Sequence, residues 1–225
     1  TPLYSSAASD VYKRQGLNII VGALAIAPLA RIIAVLVDPA VNATLVKIGG
    51  TISAAADQSP IVMGFLLGGI MKMICTSPLS SMALTAMLGL NGLAMGIAAI
   101  ACVGGSFTNG IIFKRLKLGD KSNVIAVMLE PLTQANIITA NPIPIYCSNF
   151  FGGGLAGISA AAFGIINNAP GTASPIPGLL APFAFNSPLS VVGALIFAVL
   201  GGCLAGYVGS LVFKKRVEKS EVCYA

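Results

Sequence analysis

Glu130 is the only charged side chain between Ser122 and Phe213, and Pro131 follows it directly. A carboxylate in a long apolar tract is costly in lipid and usually faces a cavity or pathway. The proline breaks a helix ladder and disfavours helix at the residue before it. Together they predict a broken segment that presents an acidic ligand group. Thr133, Gln134, Asn136, Thr139 and Asn141 follow within one short stretch. An ionised carboxylate accepts from two hydroxyls at once, and Asn or Gln both donates and accepts. That mixture suits a hydroxyl-rich solute. Thr76, Ser80, Ser81 and Asn109 are further polar groups in apolar surroundings. The candidate binding set is Glu130, Pro131, Thr133, Gln134, Asn136, Asn141, Thr76 and Ser80. Competing roles stay open: Glu130 as the ion-pair partner of Lys72 or Arg31, or as a helix cap at the water boundary.

The elements that must position these groups follow from composition. Charged residues are 9% of the chain, Trp and His are absent, and apolar residues fall in blocks long enough to span a bilayer. Continuous Ala, Ile, Leu and Gly runs do not alternate as barrel strands do. The expected fold class is all-α: a polytopic membrane helical bundle with a re-entrant hairpin. Five cysteines show no metal-ligand or CxxC spacing. No phosphate-binding loop, GxSxG elbow or HExxH stretch occurs, so neither a catalytic group, a metal site nor a cofactor is expected. The net charge of +6 collects in short basic clusters beside apolar blocks, which is a membrane-loop pattern and not a nucleic-acid footprint.

Residues 1–15 resemble a translated sequencing adaptor and are set aside as non-native, which makes the chain a fragment truncated at its amino terminus. Residues 16–213 are read as the membrane domain and 214–225 as a basic cytoplasmic tail. The first apolar block, 17–37, is expected to end at Asp38-Pro39, and 38–59 to form a polar connection. A second block, 61–74, is interrupted by Thr76-Ser77-Pro78-Leu79-Ser80-Ser81. Ser77 before Pro78 suits an N-cap and first helical position. The uncharged stretch 73–113 accommodates two passes, or one pass and a half-helix, with the break at Asn91-Gly92. Ser-Pro-Leu-Ser occurs at 77–80 and again at 187–190, as two separate helix caps or as the trace of an internal repeat. Pairs of glycines four apart (64/68, 92/96, 153/157 and 202/206) permit close helix contact in lipid.

Two basic clusters constrain topology. Lys114, Arg115, Lys117 and Lys121 form one, and Lys214, Lys215 and Arg216 the other. Both argue for the cytoplasm, so an even number of crossings separates them. Blocks 143–166 and 189–213 are long enough to cross, whereas 176–185 is too short. The simplest solution makes 122–140 a hairpin that returns to its own side. The alternative has 122–140 cross, with 166–188 supplying a further crossing.

Ordered short motifs carry a family resemblance over residues 16–213. They are Ser59-Pro60-Ile61-Val62-Met63-Gly64, the stretch from Thr76 to Ser81, Leu88-Gly89-Leu90-Asn91-Gly92-Leu93-Ala94, and the stretch from Glu130 to Pro142. These resemble the membrane IIC component of bacterial phosphotransferase-system sugar permeases, in the branch that includes perfringolysin-regulator-like proteins. The resemblance implies a homodimer in lipid, multi-pass in the bacterial plasma membrane. It implies sugar as substrate and phosphorylated IIB, with IIA, as protein partners. It also implies a Glu-Pro contact to the sugar on a re-entrant hairpin, with phosphoryl transfer carried by IIB. Some IIC proteins place a histidine near the sugar; this chain has none. Two other functions remain open on the same scaffold: a membrane-bound ligand sensor and an ion-coupled carrier.

Overall fold

A computed structural model describes residues 27–223, with side chains described from 28 to 214. The segment 1–15 and the side chains of Lys215 and Arg216 therefore lie outside it. The chain divides into two compact units, 1–44 and 45–225. Every regular element among the described residues is helical: α1 (Ala27–Gln58), α2 (Pro60–Thr76), α3 (Ser81–Met87), α4 (Gly92–Leu116), α5 (Lys121–Leu129), α6 (Ala135–Ala140), α7 (Pro142–Ala162), α8 (Pro175–Leu180) and α9 (Pro188–Cys223). Short 3-10 turns at Pro131–Gln134 and Ala181–Ala184 follow α5 and α8. Pro28–Gln58, Gly92–Leu116 and Pro188–Lys214 are long and apolar enough to cross a membrane. Helix α7, at 21 residues, is about 31 Å long, enough for the hydrocarbon core by length alone.

Asp38-Pro39 does not end the first helix, which continues with Pro39 inside it. A proline removes one ladder bond, and a long helix with intact flanking turns tolerates that loss. The expected polar connection is helical instead, and two of its hydroxyls bond back to the helix backbone. Thr44 Oγ1 donates to the Ala40 carbonyl at 2.8 Å, and Thr51 Oγ1 to that of Lys47 at 3.0 Å.

The larger unit is built on glycine contacts. Gly64 and Gly68 of α2 meet Gly157 and Gly153 of α7, which makes the two helices antiparallel. A Cβ on Gly68 would lie 2.5 Å from the Gly153 carbonyl oxygen, and one on Gly64 2.7 Å from that of Gly157. On the other flank Gly202 meets the Gly104 carbonyl and Gly206 meets Thr108, so α9 runs parallel to α4. Thr108 Oγ1 donates to the Gly202 carbonyl at 2.9 Å across this contact. Gly104 against Ala156, and Asn109 against Asn149, set α7 antiparallel to α4. Three of the four glycine pairs noted in the sequence thus work between helices, and Gly96 meets the Ile165 carbonyl in the loop after α7. Phe65, Phe150 and Phe151 fill the neighbouring space with edge-on ring contacts.

These directions have topological consequences. The C-terminal ends of α4 and α9 lie at one end of the bundle, where Arg115 Nε donates to Ser210 Oγ at 2.7 Å and its guanidinium lies 4.4 Å from the Tyr207 ring centre. Helix α7 begins at that same end, so residues 117–141 leave and return on one side. At the opposite end the turn-rich segment after α7 is pinned in place. Asn168 Oδ1 accepts from Gly92 N at 3.0 Å, Ser81 Oγ donates to the Ala173 carbonyl at 2.6 Å, and Asn186 bonds both backbone groups of Ile166.

The stretch 73–113 resolves into a half-helix and one long helix. Ser77 caps the C-terminus of α2, its Oγ donating back to the Ile74 carbonyl at 2.7 Å. Being before proline, it is held extended and leaves the helix. Ser80 is the N-cap of α3, accepting from Ala83 N at 3.2 Å. In the second Ser-Pro-Leu-Ser it is the first serine that caps: Ser187 Oγ accepts from Ser190 N at 3.3 Å. The two strings serve different ends in different ways, which favours independent caps over a repeat. Gly89 and Gly92, at φ 60° and 59°, supply the reversal into α4.

If glycine contact sets the α2–α7 spacing, a side chain at Gly157 must push against backbone. Gly157→Leu is expected to cost about 3 kcal/mol or more, seen as a large drop in thermal midpoint in detergent. Gly50→Ala is the matched control, because nothing lies within 4 Å of a Cβ there; its midpoint should hold or rise slightly.

Candidate functional site

Two interruptions of the helical pattern approach each other inside the larger unit. The first is Ser77–Ser80, between α2 and α3. Thr76, the last residue of α2, lies against Asn109 of α4, whose Nδ2 is 3.4 Å from Thr76 Oγ1. Asn109 is deep in α4, roughly 26 Å along the axis from Gly92. Helix α2 therefore stops partway down the bundle, and 77–91 carries the chain back to the start of α4.

The second interruption is Glu130-Pro131, and it comes from the other end. Asp120 opens α5 with a capping box: Asp120 Oδ1 accepts from Asn123 N, and Asn123 Oδ1 from Asp120 N, both at 2.9 Å. Helix α5 ends at Glu130, which is extended (φ −147°, ψ 98°) as its place before proline requires. The chain then doubles back. Asn123 Nδ2 donates to Gln134 Oε1 at 2.6 Å, whereas uninterrupted helix would separate those residues by about 16 Å. Pro131 is buried, and the 3-10 turn it opens contacts α2. Met128, just before it, lies against Gly110 beside Asn109. The tip of this hairpin thus sits by the helices that hold Thr76 and Asn109.

The eight candidate residues divide accordingly. Glu130 is exposed at the tip. Thr133 is exposed too, but its Oγ1 donates to the Glu130 carbonyl at 2.8 Å and serves the turn. Gln134 is held by Asn123 and locks the hairpin. Asn136 is exposed on α6, and Asn141 closes α6 with Nδ2 on the Ile137 carbonyl at 3.2 Å. Thr76 is buried across the way, donating to the Lys72 carbonyl at 2.9 Å. Ser80 is exposed at the first break and occupied as a cap. Glu130, Pro131, Gln134 and Thr76 are brought to the two breaks; Asn136 and Asn141 lie further along the hairpin's return limb.

One turn before the first break lies a polar cluster that the binding set lacks. Lys72 and Asn149 are both 0% exposed. The Lys72 stem runs over Gly105 of α4 and Gly153 of α7, in space only glycine leaves open. Its Nζ donates to the Cys102 carbonyl at 3.4 Å. Asn149 Nδ2 donates to Asn109 Oδ1 at 2.5 Å, while Asn149 Oδ1 has no partner. Gly105 and Gly153 are each one turn from an asparagine, so the lysine stem and the amides occupy successive turns of the α2–α4–α7 seam. The sequence signal was present: a lone Lys in Met-Lys-Met-Ile-Cys, and isolated asparagines beside glycines at 109–110 and 149–154. What the sequence withholds is that three helices bring them together. Of the two cations open to pair with Glu130, Lys72 uses a neutral carbonyl, and Arg31 is exposed in the other unit.

Among the described residues no group of three or more His, Cys, Asp or Glu is placed to hold a metal ion. The side chains gathered here include a carboxylate, an amine, amides and hydroxyls, groups suited to recognition.

Compared with known proteins, the chain matches the family model described as Phosphotransferase system, EIIC, over residues 5–223. No curated protein and no solved structure matches it. The chain therefore belongs to the phosphotransferase-system EIIC family, a family of membrane transport components, in agreement with its apolar helical bundle.

Proposed function

We propose that this chain is the sugar-binding, translocating subunit of a phosphoenolpyruvate-dependent phosphotransferase system, with the sugar held between the two chain breaks. The observation that carries the reading is the exposed Glu130 carboxylate at a doubled-back hairpin whose turn contacts α2. Non-helical backbone at membrane depth is tolerated where it is buried in protein or lines a cavity. A carboxylate there accepts from two sugar hydroxyls, and Thr76 and Ser80 flank the first break. The chain has no histidine to carry a phosphoryl group. On the family's pattern, phosphoryl transfer is the work of a phosphorylated IIB partner, itself charged by IIA, acting on sugar presented at the cytoplasmic end. The product then bears a charge that prevents its return through lipid. The setting is the bacterial plasma membrane, with a second copy of the chain completing a homodimer.

The orientation follows from the basic clusters. Arg115, Lys117 and Lys121 gather at the end of the bundle where α4 and α9 finish, which the positive-inside rule assigns to the cytoplasm. In this orientation the hairpin 121–140 is re-entrant from the cytoplasmic side.

Glu130→Gln keeps shape and removes charge. Loss of a charged hydrogen bond is worth about 1.5–3 kcal/mol, so phosphoenolpyruvate-dependent uptake and labelled-sugar binding should both fall about 10- to 100-fold. Unchanged binding would remove Glu130 from the site, and uptake abolished by a protonophore yet indifferent to phosphoenolpyruvate would favour an ion-coupled carrier. Orientation has its own test. Ser122→Cys, exposed beside the basic cluster, should react with a membrane-impermeant maleimide in inside-out vesicles and be protected in right-side-out ones, in a background lacking the native cysteines.

A further inference from the structure

The buried cluster asks for a ligand of a particular charge. A lysine removed from water is stable as an ammonium only beside an anion or several good acceptors. Lys72, fully buried, has one long hydrogen bond to a neutral carbonyl, which leaves two of its three N–H donors unspent. On the facing helix the Asn149 carbonyl oxygen is buried and unpartnered, although the amide's other end is firmly held by Asn109. An unmade hydrogen bond of this kind costs about 1–3 kcal/mol. A cation with spare donors and an acceptor with no donor are complementary to an anion that also bears a hydroxyl.

We propose that Lys72 and Asn149 form the charged end of the substrate site, and that the solute carried is an anionic sugar. Its carboxylate or phosphate takes the Lys72 donors, and a neighbouring hydroxyl donates to Asn149 Oδ1. Glu130 at the hairpin tip accepts from hydroxyls at the uncharged end, away from the anion it would repel. This rests on the sugar-binding reading above and narrows it to a substrate class. Two details support a ligand role over a packing role. A methionine fills such a seam without charge, as Met71 and Met95 do nearby in the core. Gly105 and Gly153 leave room along the whole lysine stem, so the ammonium is placed and not merely trapped.

The test is binding of labelled sugars to the purified full chain in detergent. The panel comprises glucose, galactose and mannose, their uronates, and their 6-phosphates. At least one anionic member should bind roughly thirtyfold tighter than its neutral parent, the effect of one charge-assisted hydrogen bond made away from water. Preference for a uronate identifies a sugar acid as the cargo, and preference for a 6-phosphate identifies retention of the phosphorylated product. Lys72→Met should reduce the ratio of anionic to neutral affinity to about one, while Lys72→Arg should keep most of it. If Lys72→Met fails to fold, Asn149→Asp supplies a second arm: its carboxylate opposes the anion and should reverse the preference. A neutral sugar bound as tightly as its acid overturns the anionic site and leaves the sugar reading standing. Failure of every sugar to bind overturns both. If Lys72→Met unfolds the chain and Glu130→Gln restores it, Lys72 is the counter-ion of Glu130, and the proposal is likewise overturned.

Discussion

Close backbone approach along the α2–α7 seam is the constraint on which the rest of this bundle depends. In lipid the hydrophobic effect does not drive helices together, and association relies on packing, interhelical hydrogen bonds and lipid entropy. Glycine at 64, 68, 153 and 157 brings the two backbones into contact, and Gly104 with Gly202 does the same for α4 and α9. Those contacts fix which helices run parallel. From that follows which connections must return to the side they left. The hairpin at 121–140 and the half-helix α3 are consequences of packing directions as much as of local prolines.

The same glycines determine where polarity can enter. Gly105 and Gly153 leave a channel wide enough for a lysine stem, one turn from the two asparagines that bond across α4 and α7. Replacing either glycine with a larger residue would close the channel before it altered any polar group. The cluster is therefore a property of the seam. Thr108 and Ser159, by contrast, spend their hydroxyls on carbonyls of the neighbouring helix, and Ser148 on one of its own. Polar residues in this interior thus separate into those whose bonds are complete and those, Lys72 and Asn149, whose bonds are not.

Much of the fold was legible because its signals are local. Glu130-Pro131 had to break a helix, since proline withholds a donor and restricts its predecessor, and it does so. The break before Gly92 and the short 176–185 block were readable for similar reasons. Asp38-Pro39 misled because one proline in a long helix costs a single bond, which flanking turns absorb. Ser77 and Ser80 are ambiguous in sequence because either serine can cap, and only the course of the chain decides between them. The polar cluster was hardest to see. Lys72, Asn109 and Asn149 are far apart in sequence, and each is unremarkable in its own helix. Their convergence depends on the register of three helices, which no local pattern encodes.

The carboxylate and the amine are carried on different elements. Glu130 is carried on a short 3-10 turn and remains exposed. Lys72 lies one turn inside a packed helix, its stem fixed by backbone on two sides. In the site proposed above, opposite charges carried on separate elements give two unlike ends. Such a site selects a solute by the order of its groups as well as by their kind, since a reversed ligand would set its anion against Glu130 and its hydroxyls against an unsatisfied ammonium.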